Sequence, residues 1–481
     1  MDKSHYLDKI TSWDAGDASH ILSRTLFGFT QNDVTFALSK TLDDFVDNYL
    51  LKDQPAPPAP TYNGTNWTSL PNNTTNQANY TNWQYSLIYW WYNLMLNQGY
   101  SFSEKMVLFL HNNFTSQYST VGMPQLMYIQ NQLFRQYAFG NFKDLAKKVT
   151  IDPAMLDYLN GEQNSKGAPN ENYSRELMEL FTLGIGNYTQ TDVTQAARAL
   201  TGYRIDRTNL VSTFNPNLFD NGTKTFLGQT GNWGYSDIID IIFAYRDASN
   251  NPVSAQFICR KLYKEFVYYE PVPDADADSY IAQLADLFVT NNYNLKPVLS
   301  ALLKSQYFHS TDIRGARIKP PVEFLLSALK QFGIPIDSSN NVLGYVRSVA
   351  SNLQQTLFDP PDVRGWQGQR NWISTITYPT RNNFTDYLVN GYPSGSKPYM
   401  KIDALTYSRT YVNSEDAVKF IDDITAQLIQ FPISDQRKSE LLSTLLDGAA
   451  VYDWSTYSSS ALSRLQNFFI ALMRLPEFQL S

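Results

Sequence analysis

Lys166-Gly167-Ala168-Pro169-Asn170-Glu171-Asn172-Tyr173-Ser174-Arg175-Glu176-Leu177-Met178-Glu179-Leu180-Phe181-Thr182-Leu183-Gly184-Ile185-Gly186 carries both the start and the stop signals of a helix. The Gly-Ala-Pro run interrupts whatever precedes it, the Asn170 side chain can accept from the first free amides, and Gly184 and Gly186 can close the last turn. The spacing predicts a helix from Glu171 to Leu183. Tyr173, Leu177, Leu180 and Phe181 share one stripe of a 3.6-residue wheel, which faces a core. Glu171, Arg175 and Glu179 stand four apart on the other side as a solvated charge ladder. Glu176 lies beside the apolar stripe, where a buried carboxylate needs a partner.

Helical signals continue on both sides of this stretch. Thr189 with Asp192 forms a capping box that opens Gln190 to Leu200, and Asp152-Pro153 places proline at the tolerated first helical position. Upstream, Asp17 to Phe27 reads as a helix, followed by two short ones capped by Thr30 with Asp33 and Thr41 with Asp44. Trp83 to Gln98 and Phe102 to Asn112 read as buried helices, the second with Val107 and His111 one turn apart on its apolar side. Downstream, Asp237 to Tyr245, Pro252 to Tyr268, Ser279 to Thr290, Leu295 to Ser305 and Pro321 to Phe332 keep helical periodicity. So do Ser414 to Phe431, Ser434 to Leu446 and Ser458 to Met473.

Two islands break the pattern. Thr213 to Phe219 and Thr223 to Leu227 flank Asp220-Asn221-Gly222, which predicts a hairpin turning on Asn-Gly. Phe358 to Trp372 holds two prolines and two glycines that exclude regular structure, yet Trp366 and Trp372 are costly to leave in water, so an ordered loop packed on the body is expected. The fold class is therefore all-α, a multi-helix array with one small β-hairpin near residues 213–227 and long ordered loops. Its parts are an N-terminal helical cap (1–53), a Pro/Asn/Thr-rich loop (54–82), a central helical part (83–203), a hairpin insert (204–234) and a C-terminal helical part (235–481) holding loop 358–372.

Composition narrows the functional classes. The 481 residues carry a net charge of −7 with no runs of Lys or Arg, which excludes a nucleic-acid footprint. The single Cys259 excludes an internal disulfide and lies in a helical run as a small core residue. The longest apolar run, Leu87 to Met95, is far short of the roughly 20 residues of a bilayer span. Met1 to Trp13 lacks the basic start and apolar core of an export signal, so the chain is expected to be cytoplasmic, processed, or exported with a partner. A surface rich in Asn, Thr, Gln and Tyr suits an extracytoplasmic setting and contact with glycans.

Several stretches together resemble the bacterial family catalogued as domain of unknown function 1800. They are His20-Ile21-Leu22-Ser23-Arg24, Leu110-His111-Asn112-Asn113-Phe114-Thr115, Pro169-Asn170-Glu171-Asn172-Tyr173, Ala197-Arg198-Ala199-Leu200-Thr201-Gly202, Lys224-Thr225-Phe226-Leu227-Gly228 and Pro360-Pro361-Asp362-Val363-Arg364-Gly365-Trp366. The resemblance implies work beside, or export with, a sulfatase-like partner protein. It carries no assigned activity or cofactor. Phe219-Asp220 stands where many members have His-Asp, which weakens any metal site built on that histidine.

The candidate chemistry lies at His111, Glu176 and Arg175 as a polar catalytic pocket, with His20, Arg24, Asn112, Asn172, Trp366 and Trp372 as binding residues. His111 and Glu176 with Glu179 or His20 would make a mixed metal shell. No H-E-x-x-H, E-x-x-H or H-x-H spacing supports it, so no metal is expected. Two functions follow. One is a helical accessory protein that docks a sulfatase-like partner through the Trp366 loop. The other is an enzyme acting on a polysaccharide or its modifications, for which His111 and Glu176 must meet in space.

Overall fold

Side chains that satisfy free backbone amides set where the helices begin. Asp14 accepts from the amide of Asp17 at 3.0 Å while the Asp17 carboxylate accepts from the amide of Asp14 at 3.1 Å, opening α1 (Ala15–Thr25) two residues earlier than the apolar pattern alone predicts. Thr30 with Asp33 and Thr189 with Asp192 form the expected boxes, and Asp152 caps the helix at Pro153–Tyr158 through the Met155 amide. The computed structural model describes residues 5–269, 274–337, 339–392, 400–429 and 431–481. Among them, 23 α-helices account for most of the chain, with three two-stranded antiparallel sheets.

The helices that matter for the site are α2 (Tyr80–Asn97), α3 (Ser103–Asn113), α4 (Asn172–Glu176), α5 (Val253–Phe266) and α6 (Pro321–Gln331). Ten of the eleven residues of α3 are buried, so it runs through the interior, and its buried Glu104 and Lys105 are paired with Arg135 and Glu323. Among the described residues one apolar core cluster includes residues from Tyr6 to Phe478. Cys259 is fully buried in it, and burial pushes its thiol well above the usual range.

The stretch beginning at Pro169 differs from a plain helix. Asn170 does accept from the Asn172 amide at 2.9 Å, but α4 gives way at Leu177 to a π-helix, Leu177–Thr182. Both the Leu183 and Gly184 amides then bond the Met178 carbonyl, at 2.8 and 3.0 Å. The wider turn leaves the Leu180 carbonyl to a partner outside the helix, and such π-turns occur often at functional sites.

The hairpin expected around Asp220-Asn221-Gly222 does not form. β3 (Tyr203–Asp206) pairs with β4 (Val211–Phe214), and β5 (Lys224–Phe226) pairs with β6 (Gln229–Gly231), while β1 (Thr61–Tyr62) and β2 (Thr65–Asn66) make a third small ribbon. The Asp220 carboxylate accepts from the Gly222 amide at 2.9 Å and pairs with Arg198 at 2.7 Å, which holds the Asn-Gly segment as a side-chain-closed loop. The turn is made instead at Leu227 and Gly228, whose φ values of +44° and +78° suit a tight hairpin.

Candidate functional site

Three helices and the tryptophan loop converge on a cavity of about 270 Å³. Lys105, Asn112 and Asn113 come from α3, and Lys261, Lys264 and Glu265 from α5. Glu323 comes from α6, Arg317 from the segment before it, and Arg364, Trp366 and Trp372 from the loop. Among the described lining residues five cations face two carboxylates, and only Arg364, at the rim, has a further carboxylate of its own in Asp362 at 2.6 Å; the balance concentrates positive potential in a concave setting.

Glu323 is the electrostatic centre of the inner wall. It is 3 % exposed and pairs with Lys105 and, at 2.8 Å, with Arg317, both equally buried; Arg317 also reaches Glu265 at 3.0 Å. Burial opposes ionisation of Glu323, but Arg317 and Lys105 beside it outweigh burial and hold its carboxyl down at about 2. Burial pushes Lys105 down to about 8 against the pull of Glu323. Behind this wall Lys319 and Arg381 are also buried, and burial pushes them down to about 8 and about 9 with Glu323 as their opposing charge. One carboxylate therefore serves several buried cations.

Among the described residues Lys261 has no carboxylate partner. Its Nζ donates to Asn113 Oδ1 at 2.6 Å and to the carbonyl of Leu180 at 2.5 Å, the carbonyl released by the π-turn. A cation at a helix C-terminus gains from the carbonyl dipoles there. Burial, reinforced by nearby Lys264, nevertheless pushes the Lys261 ammonium down to about 7. Four buried atoms on the lining residues lack a protein hydrogen-bond partner: Asn113 Nδ2, Arg317 Nε, Trp366 Nε1 and Glu323 Oε1. Three of them are donors.

The candidate residues read from the sequence divide among different places. Asn112, Trp366 and Trp372 line the cavity, with the two indoles buried as expected of a packed loop. His111 lies behind it, walled by the rings of Trp91, Phe358 and Trp366 at centroid distances of 5.8, 5.6 and 5.7 Å. Burial pushes its imidazole down to about 3, so it is neutral throughout the ordinary pH range. Glu176 is half-buried outside the cavity, and burial with Glu179 and Asp362 raises its carboxyl despite Arg175. Arg175 turns to Glu171 at 3.2 Å and Gln190 at 2.9 Å. Its charge ladder ends there, since Glu179 accepts from the Tyr188 hydroxyl at 2.6 Å. Asn172 is exposed.

His20 and Arg24 are core groups. His20 bonds the Phe308 carbonyl at 3.0 Å, and Arg24 donates to the carbonyls of Val267 and Ile313 at 3.0 and 2.7 Å. Among the described residues no hydrogen bond or ion pair joins His111 to Glu176. Their two segments do touch, through Asn113, Lys261 and the Leu180 carbonyl. Among the described residues no group of three or more His, Cys, Asp or Glu side chains is placed to hold a metal ion, and no helix is long and apolar enough to cross a membrane.

A family model described as Protein of unknown function (DUF1800) matches residues 20–480, nearly the whole chain. The chain belongs to this family. No curated protein and no solved structure matches it.

Two stretches that carry the DUF1800 resemblance meet at the cavity rim. The Asn112 side chain accepts from the Trp366 amide at 2.7 Å and donates to the Trp366 carbonyl at 3.3 Å, clamping the loop onto α3. Gly365 makes the approach possible. Its φ is +74°, and a Cβ there would lie 2.2 Å from Asn112 Oδ1 and 2.7 Å from the Asn112 carbonyl oxygen. Gly365→Ala is therefore expected to lower the thermal unfolding midpoint, with backbone strain alone worth about 1–3 kcal/mol. Gly186→Ala is the control, because Gly186 shares a positive φ of +90° but a Cβ there meets nothing within 4 Å. Equal losses in the two variants would show that the clamp is not tight.

In this DUF1800 chain the sequence reading passed over Lys105, Asn113, Lys261, Glu265, Arg317 and Glu323. One usable signal was present. Glu323 interrupts a strongly apolar helical run, Pro321 to Leu326, and a charge at such a position is either paired or functional.

Proposed function

We propose that this DUF1800 protein is a binding protein whose cationic cavity takes the oxyanion group of a ligand, a sulfate, phosphate or carboxylate. The observation that carries it is the buried excess of positive charge around Glu323, with Lys261 held by neutral acceptors alone. An anion in the cavity would relieve that excess and accept from the donors that lack protein partners. The role that suits such a site is accessory: the protein holds an anionic substrate beside a sulfatase-like partner, and co-purification of that partner from native extract checks it.

The hydrolytic alternative on a polysaccharide has one observation behind it, the raised carboxyl of Glu176, which suits a general acid. The ring-enclosed, neutral His111 and the outward-turned Arg175 favour binding over hydrolysis. Titration calorimetry of the full chain with sodium sulfate and inorganic phosphate tests the binding reading, with glucose as the neutral control. Either anion is expected to bind. Arg317→Gln, checked for folding by circular dichroism, is expected to weaken it at least about tenfold, given that hydrogen bonds to charged groups contribute about 1.5–3 kcal/mol. Absence of heat from both anions overturns the proposal.

A further inference from the structure

A second, wider chamber of about 650 Å³ adjoins the cationic cavity and shares Trp366, Gln367, Gly368 and Trp372 with it as a common wall. The segment after the Asn341–Asn352 helix serves both chambers, Gln355 lining the cationic one and Gln354 and Thr356 the wide one. The chemistry changes across the wall. Among the described residues five cations face two carboxylates on the cationic side, whereas the wide chamber holds one ion of each sign, Asp359 and Arg370. Asp359 is already occupied, accepting from the amide and the hydroxyl of Ser119 at 3.1 and 2.7 Å.

What remains in the wide chamber is mainly neutral amide and hydroxyl groups from Gln354, Thr356, Gln367, Asn371 and Ser374, set beside indole. Amides and hydroxyls both donate and accept, so they match ligand hydroxyl groups, which do the same. Nothing in that lining offers the large apolar pockets that anchor peptide side chains, and no row of cations is present to follow a phosphodiester backbone.

Resting on the oxyanion reading of the first cavity, we propose that the two chambers are adjoining subsites for an acidic oligosaccharide. The anionic sugar unit, sulfated or uronate, sits on the Lys105, Lys261 and Arg317 side. The next, uncharged unit lies in the Gln354 and Asn371 chamber. The shared tryptophan loop fixes the distance between the two.

Titration calorimetry on the full chain at pH 6.5 tests this with five probes: glucuronic acid, a hyaluronan tetrasaccharide in which glucuronate alternates with an uncharged sugar, a sulfated carrageenan tetrasaccharide, cellotetraose and a tetra-aspartate peptide. At least one acidic tetrasaccharide is expected to bind tenfold or more tighter than glucuronic acid, and which one gains identifies the anion. Cellotetraose is expected to bind negligibly. Asn371 is exposed and its side chain makes no hydrogen bond, so Asn371→Trp should fold normally and fill the wide chamber. It is expected to abolish the chain-length gain while leaving glucuronic acid affinity unchanged. Equal affinity for single and linked sugars, a gain that survives Asn371→Trp, or a peptide that binds as tightly as the sugars overturns the two-subsite proposal alone. Failure of glucuronic acid, sulfate and phosphate alike removes the oxyanion reading beneath it as well.

Discussion

Replacing Glu323 by glutamine is expected to cost about 3–5 kcal/mol of stability, the range for breaking a buried ion pair from one side. The change is close to isosteric, so it opens no cavity and isolates charge. Lys105 and Arg317 would be left nearly fully buried, Lys105 with no carboxylate in hydrogen-bond reach and Arg317 with only the half-exposed Glu265. Lys319 and Arg381 behind them lose their opposing charge too. Denaturant unfolding followed by circular dichroism reads the loss. The oxyanion account adds a signature that a structural ion pair alone would not show: sulfate should restore the Glu323→Gln midpoint by a larger shift than it gives the parent chain, because binding to the native state stabilises it by mass action. A loss below about 1 kcal/mol would mean that the cations are better solvated than their burial implies.

Sulfate affinity is expected to fall as pH rises from 6 to 9. Sulfate remains a dianion across this range, so the change belongs to the protein. Lys261 is charged below about 7 and Lys105 below about 8, and both lose their protons as pH passes those values. The bound anion favours the charged lysines, so in the complex both transitions move upward. The expected decrease is about ten- to a hundredfold for the loss of one charged hydrogen bond of about 1.5–3 kcal/mol. Lys261→Met should bind more weakly at pH 6 and show a flatter profile. An unchanged slope in that variant would assign the titration to Lys105 or to Lys264.

The helical class and most helix starts were legible because their causes are local. Thr30 with Asp33, Thr189 with Asp192 and Asp152 before Pro153 announce themselves within four residues. Burial of Trp366 and Trp372 followed from the cost of hydrating indole. The Asn-Gly hairpin failed because the Asp220 carboxylate is held by Arg198, 22 residues away in the chain, a contact that no turn signal encodes. Helices at Pro124–Gln136, Phe142–Thr150, Asn341–Asn352 and Thr377–Asn390 were passed over; the last is rich in Asn and Thr and carries Pro379 in its first turn, so its periodicity is faint.

The site was less legible for a related reason. His111, Glu176 and Arg175 stand out in the sequence for the chemistry of their side chains, which carries no information about their neighbours in space. The cavity is assembled instead from Lys105, Lys261 and Arg317, which lie more than 50 residues apart and share no spacing. The segments expected to meet do meet, two residues along from His111 at Asn113, and the lysine that joins them comes from a third helix. Only the charge at Glu323, set in an otherwise apolar run, points toward it from sequence.

Anomalous diffraction from crystals of the full chain soaked in selenate, a sulfate analogue with a strong scatterer, asks directly where an oxyanion goes. The account predicts a selenium peak inside the cavity within hydrogen-bond distance of Lys261 Nζ or the Arg317 guanidinium, and its loss in Arg317→Gln. Selenate found only at exposed lysines, with the cavity holding nothing but water, would contradict it.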